Sequence, residues 1–196
     1  MAGYIRVIAG EMFSGKSTEL ARLIERSLIA GLTVQVLVPS FAPRGSSRDL
    51  ERRLDGMQGT WRITPVPQAD TAHLDGLVDR QAMVIAVDEA QFFDFRLVDY
   101  CRRWRAEGRH VLIAGLDMDY REQPFGPMGQ LMCIANDVMK VHAVCTRCRQ
   151  SDAFISFRLT EEAQQVVVGE HNYTALCGDC YQAESQTARN PSTRAG

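Results

Sequence analysis

The eight residues Gly10-Glu11-Met12-Phe13-Ser14-Gly15-Lys16-Ser17 follow the pattern G-x-x-x-x-G-K-[ST]. Glycines at its ends let the backbone curl so that successive N–H groups face an anion, and a helix that follows adds the positive end of its dipole. Lys16 then reaches the terminal phosphates of a nucleotide and the Ser17 hydroxyl ligates Mg²⁺, so ATP with Mg²⁺ is the expected ligand. The plainer alternative is a glycine turn before a helix that happens to contain Lys-Ser. The apolar run Ile5 to Ala9 before the motif and the amphipathic segment after it favour the phosphate loop.

A second group of acids lies downstream. Met83-Val84-Ile85-Ala86-Val87 leads into Asp88-Glu89-Ala90-Gln91, which sets two carboxylates at the carboxyl end of a buried strand, the edge at which open α/β sheets bind ligands. Adjacent strand residues point to opposite sides, so the two acids divide the work. Asp88 suits the Mg²⁺ shell. Glu89 is left to act as a base on an attacking hydroxyl or water, and Gln91 is a further nucleotide-contact candidate. The alternative is a pair of solvated acids capping the next helix.

The cysteines form a third group. Cys145-x-x-Cys148 and Cys177-x-x-Cys180 match a closed, structural Zn²⁺ tetrahedron in a zinc ribbon, with a redox CxxC as the competing reading. Cys101 and Cys133, among apolar neighbours, are expected to be ordinary buried thiols. The histidines have no ligand-like spacing and are given no catalytic role.

These groups need elements to hold them. Short Val- and Ile-rich runs at Ile5 to Ala9, Val34 to Val38, Met83 to Val87, Val111 to Ala114 and Val138 to Val144 alternate with segments of helical period, Ser17 to Ala30 and Phe95 to Glu107. That alternation predicts an α/β domain with a mostly parallel sheet. Ser40 to Gly59 shows no convincing strand and only a weak helix, and is expected to be a mobile loop. Beyond Cys145, short β-like pieces at Phe154 to Leu159 and Gln165 to Val168 sit between the cysteine pairs. The expected organisation is a phosphate-loop domain over 1–144, a zinc module over 145–182, and a disordered tail over 183–196, where the residues are polar and small.

Composition narrows the functional classes. With 196 residues, 45% of them apolar, the chain has room for one packed domain and a small appendage. A formal net charge of -2 and the lack of any long Lys/Arg run disfavour a polynucleotide partner. No stretch of eighteen apolar residues or signal-peptide pattern occurs, so no membrane association and a cytoplasmic location are expected.

In this order the motifs resemble those of the type II thymidine kinases, the zinc-bearing bacterial and animal cytosolic family. The resemblance runs from Tyr4 to Tyr181 and rests on Gly10 to Leu20, Asp88-Glu89-Ala90-Gln91-Phe92-Phe93, Gly115-Leu116-Asp117, Pro124-Phe125-Gly126, both cysteine pairs, and Val166-Val167-Val168-Gly169 before Tyr173. It implies a RecA-like core, transfer of the γ-phosphate of ATP to the 5′-hydroxyl of thymidine or deoxyuridine, and a homotetramer or homodimer. It also implies that Glu89 is the base and that Met12, Phe92, Leu116, Tyr120 and Phe125 wall the nucleoside. Val166, Val167, Val168 and Gly169 would belong to a lasso closing over thymine, with Tyr173 beside the base and Arg158 just before the lasso. From the residues alone, Phe92, Tyr120 and Phe125 read as core aromatics. The chain departs from the family pattern at Glu11, where a Pro is usual, and at Gly169-Glu170, where two glycines are common. Asp55 is expected to contact the sugar.

Two other classes are compatible with a phosphate loop beside a zinc ribbon. An ATPase acting on nucleic acid would hydrolyse ATP without a nucleoside, and a nucleotide-sensing adaptor would bind without turnover. The negative net charge counts against the first, and intact Lys16, Ser17, Asp88 and Glu89 count against the second.

Overall fold

The computed structural model describes residues 2–41, 44–160 and 172–189. Strands β1 (Tyr4–Gly10), β2 (Val34–Pro39), β3 (Trp61–Val66), β4 (Val84–Val87), β5 (His110–Leu116) and β6 (Asp137–Lys140) form one sheet in the order β3-β2-β4-β5-β1-β6. All its pairings are parallel, with Tyr4 opposite His110 and Gly10 opposite Leu116. The carboxyl ends of β1, β4 and β5 therefore share one edge, the one on which the phosphate loop and the paired acids stand. β2 and β4 are buried at every position, as strands covered on both faces must be.

Helices pack on both faces. α1 (Lys16–Ile29) buries Leu20, Ala21, Leu23, Ile24 and Leu28 on the face that also covers Ile8, Val36, Ala86 and Leu112. Full burial of one such Leu or Ile side chain is worth about 1.5–3 kcal/mol. α4 (Leu97–Ala106), with Cys101 and Trp104 buried, and α5 (Met128–Ile134) cover the other face together with the short α3 (Leu74–Leu77). A two-stranded antiparallel ribbon, β7 (Ile155–Arg158) with β8 (Tyr173–Leu176), precedes α6 (Gly178–Arg189).

The α/β expectation is met, with several corrections. The Ser40 to Gly59 stretch, expected to be a loop, contains helix α2 (Arg44–Leu54), anchored by fully buried Leu50 and Leu54 one helical turn apart. Strand β3 was not anticipated. The polar stretch from Ala183 continues as α6 to Arg189 rather than starting a disordered tail there. Cys101 is buried as expected, whereas Cys133 is exposed on α5. The β-like segment Gln165 to Val168 lies outside the described residues. Among the described residues, no helix is long and apolar enough to cross a membrane.

Candidate active site

β1 ends at Gly10 and α1 begins at Lys16, so the loop between them is short and sharply bent. Gly15 turns into the helix with φ 85, in the left-handed region that favours glycine, while Phe13 adopts φ 66 despite its side chain. The Lys16 ammonium donates to the Glu11 carbonyl at 2.6 Å and to Ser14 Oγ at 3.3 Å. Burial pulls the Lys16 pKa below its ordinary value, opposed by the charges of Glu89, Glu11, Asp88 and Asp117.

Opposite Lys16 stand the two acids. Asp88 is 3% exposed, and its Oδ2 lies 3.5 Å from the Ser17 hydroxyl. Burial, then the neighbouring Glu89 charge, pushes the Asp88 carboxyl up to about 7, while the Glu89 N–H, Lys16 and Ser17 favour its ionised form. A buried carboxylate beside a hydroxyl is the all-oxygen donor set that suits Mg²⁺. Glu89 leaves the strand with φ 53, so the strand rule that predicted opposite facing for the pair gives way to a left-handed turn. Its Oε2 accepts a 2.6 Å hydrogen bond from Gln91 Nε2. The other end of the Gln91 amide, Oε1, accepts from the Leu116 N–H at 3.0 Å. Gln91, expected to contact the nucleotide, is 2% exposed, and both ends of its amide are engaged, by Glu89 and by Leu116. Its fit explains two glycines: a Cβ on Gly115 would stand 2.8 Å from Gln91 Oε1, and one on Gly126 would stand 2.1 Å from the Gln91 carbonyl oxygen.

Met12, Phe13, Lys16, Ser17, Asp88, Glu89 and Leu116 line one cleft of ≈ 530 Å³. Asp49, Arg52 and Arg53 of α2 line it as well, and sequence reasoning missed them. Their signal was the Leu50/Leu54 spacing, which marks one buried helix side and leaves Asp49, Arg52 and Arg53 to the remaining faces. Asp55 instead lines a separate recess with Glu25 and Leu28; the expected sugar contact is not supported by its position.

The aromatic residues named for the nucleoside wall fall into two groups. Phe92 meets Phe125 edge-on at 5.6 Å and also Phe41, which sequence reasoning did not single out. Phe92 packs against the core below it while remaining partly exposed, and Phe125 is 8% exposed, as the core reading of both expects. Tyr120 carries the Arg158 guanidinium 3.6 Å from its ring centroid, and Arg158 donates to the Tyr173 hydroxyl at 2.7 Å. Tyr120 and Tyr173 are thereby joined through one cation. Val166, Val167, Val168 and Gly169 lie outside the described residues.

The sulfur atoms of Cys145, Cys148, Cys177 and Cys180 lie within 4.8 Å of one another, with Cys148 and Cys177 3.9 Å apart. Sulfurs at the corners of a tetrahedral Zn²⁺ site are about 3.8 Å apart, so the set fits zinc. Burial raises the Cys145 thiol pKa, but the amides of Cys148, Cys177 and Arg147 outweigh it and bring the thiol down to about 6. Amides of Gln150 and Ser151 likewise lower that of Cys148. The Cys180 thiol goes the other way, pushed up to about 12 by burial and then by its contacts with Cys177, Cys145 and Cys148, a crowding of sulfurs that a bound cation would relieve.

A family model described as thymidine kinase matches residues 3–181. A thymidine kinase of Porphyromonas gingivalis is 43% identical over 180 residues, covering 91% of this chain and 85% of the relative. One from Bacteroides fragilis is 40% identical over 191 residues, covering 97% and 92%. Among solved structures, the flagellar accessory protein FlaH of Methanocaldococcus jannaschii superposes with a TM-score of 0.50 at 13% identity, covering 89% of this chain and 90% of that one; this is a likeness of fold alone.

Proposed function

Because the chain belongs to the thymidine kinase family, its reaction is phosphoryl transfer from ATP to thymidine, and we propose that Glu89 is the base and the Gly10–Ser17 loop the ATP site. The observation that carries this assignment is the convergence in one cleft of Lys16, Ser17, Asp88 and a Glu89 carboxylate held by Gln91. The loop amides and Lys16 receive the phosphates. Ser17 and Asp88 would hold Mg²⁺, whose charge neutralises phosphate oxygens in such reactions. Glu89 takes the proton of the 5′-hydroxyl as the oxygen attacks the γ-phosphorus and the bond to the β-bridging oxygen breaks. Gln91 donates to Oε2 of that carboxylate, and in this reading Oε1 faces the nucleoside.

Met12, Leu116, Phe92, Phe125 and Tyr120 supply the apolar wall for the nucleoside, and Tyr173 with Arg158 closes one side. Val166 to Gly169 would cover the base and exclude water, which separates transfer to a nucleoside from hydrolysis. In this reading residues 1–144 carry the chemistry and 145–182, held by Zn²⁺ on the four cysteines, carry the cover. Assembly as a homotetramer or homodimer and a cytoplasmic location belong to the same proposal, the former open to light scattering. Incubation with ATP, Mg²⁺ and a panel of nucleosides, with products resolved by mass, tests the reaction. Thymidine monophosphate should accumulate; ATP hydrolysis indifferent to nucleoside would overturn the reading.

A further inference from the structure

Glu11 is the second residue of the phosphate loop, and a carboxylate there is electrostatically awkward because the loop must receive an anion. Its side chain is nevertheless 2% exposed. Oε1 accepts a short hydrogen bond from the Ala143 N–H, and Oε2 lies 3.4 Å from His142 Nδ1. The main-chain oxygen of the same residue receives the Lys16 ammonium and the Ser14 hydroxyl. One residue therefore grips the catalytic lysine with its backbone and a segment more than 130 residues away with its side chain.

That segment leads straight into the cysteine module. Ala143 gives its N–H to Glu11 and its carbonyl to the Ala153 N–H at 2.7 Å, and it packs in one small core with Cys145 and Cys177. The neighbours of Glu11 are pinned to the same half of the chain. A Cβ on Gly10 would stand 2.1 Å from the Val141 carbonyl oxygen, and the Met12 N–H donates to Ser156 Oγ on β7 at 3.0 Å. Three consecutive loop residues are thus positioned by the linker 141–143 and by the ribbon.

We propose that Glu11 is a positioning residue that fastens the phosphate loop to the linker entering the four-cysteine module, so that nucleotide binding on the loop and metal loading in the module are thermodynamically coupled. The proposal rests on the loop being the ATP site. Coupling between sites is reciprocal: if a loaded module orders the loop, a nucleotide on the loop must hold the metal more tightly by the same factor. Reach, not charge, is what the tether requires. Removing the negative charge alone should ease phosphate binding slightly, whereas shortening the side chain should release the loop while keeping the charge.

The test compares zinc-loaded wild type with Glu11→Asp, Glu11→Gln and Glu11→Ala, measuring MgADP binding by titration calorimetry and the chelator concentration that strips half of the zinc. Glu11→Asp is shorter by one carbon, about 1.5 Å. It and Glu11→Ala should weaken MgADP about tenfold, within the usual range for coupled sites. Glu11→Gln, which still reaches Ala143, should stay within about threefold of wild type. Saturating MgADP should raise the stripping concentration about tenfold in wild type and leave it unmoved in Glu11→Asp. If Glu11→Ala does not fold, the Asp and Gln pair carries the comparison. MgADP binding in Glu11→Asp equal to wild type, or zinc retention that responds to MgADP equally in both, would overturn the tether. Failure of wild type to bind MgADP at all would instead refute the loop's assignment, so the two failures are distinct.

Discussion

Gln91→Leu removes the group that aims Glu89 while keeping most of the volume of a side chain that is 2% exposed. Two bonds are lost. The 2.6 Å bond from Gln91 Nε2 to the Glu89 carboxylate is charge-assisted, a class worth about 1.5–3 kcal/mol. If that loss is felt in the transition state, turnover falls roughly 10- to 100-fold. The Leu116 N–H loses its acceptor, which costs about 1–3 kcal/mol of folding stability and a few degrees of melting temperature in a domain of this size. MgADP affinity should be nearly unchanged, because the proposed phosphate ligands are Lys16, Ser17 and the loop amides, none of which Gln91 touches. Glu89→Gln alone should slow turnover by about 10²–10⁴-fold, toward the low end because phosphoryl transfer has a loose transition state in which proton removal comes late. The decisive assay is the double variant. If Gln91 works through Glu89, Gln91→Leu should cost less than about threefold in a Glu89→Gln background, because residues acting as a unit are not additive. Steady-state kcat and thymidine kcat/KM at saturating MgATP, with calorimetric MgADP binding, measure each term. Losses that multiply independently, or a loss of MgADP affinity as large as the loss of kcat, would refute the reasoning.

Cys148→Ser should release the metal, with wild type holding about one Zn²⁺ per chain by elemental analysis; zinc-free wild type purified without chelator would contradict this. Tyr173→Ala removes the hydroxyl that accepts from Arg158 and should raise the thymidine KM about tenfold while leaving that for MgATP within twofold. Equal rises in both would mean that Tyr173 does not sit at the nucleoside. Gly126→Ala puts a Cβ 2.1 Å from the Gln91 carbonyl at φ 51, so the melting temperature should drop by several degrees and turnover should fall more than MgADP binding; unaltered kinetics would show that the Gln91 region tolerates displacement.

The setting of the proposed nucleotide loop was legible because phosphate chemistry needs a contiguous stretch of glycines, Lys and Ser, and Gly10 to Ser17 carries it between an apolar strand and an amphipathic helix. The four cysteines were legible for the same reason, as two short local pairs that the fold brings together. What failed was structure specified by few or distant residues. β3 is an edge strand with Pro65 within it and only Val66 buried, a pattern weaker than that of a buried strand. α2 is mostly Arg, Asp and Glu, and only Leu50 and Leu54 betray its buried side. The task of Gln91 depends on the Leu116 N–H, and that of Glu11 on Ala143. Neither partner lies near enough in sequence for any periodicity to connect them.

The parallel register has a consequence for how the chain is made. β1 is made before the other five strands of its sheet, yet it takes its place between β5 and β6, pairing Tyr4 with His110 and Arg6 with Asp137. No earlier strand can shelter it, because β2, β3 and β4 pair among themselves and reach β1 only through β5. During translation at about 5–20 residues per second, the apolar strand Tyr4–Gly10 and the loop behind it wait on the order of ten seconds for both neighbours. A strand made well before both of its partners is thus completed only with them, and the Gly10–Ser17 loop that leaves its end takes its setting only when the sheet does.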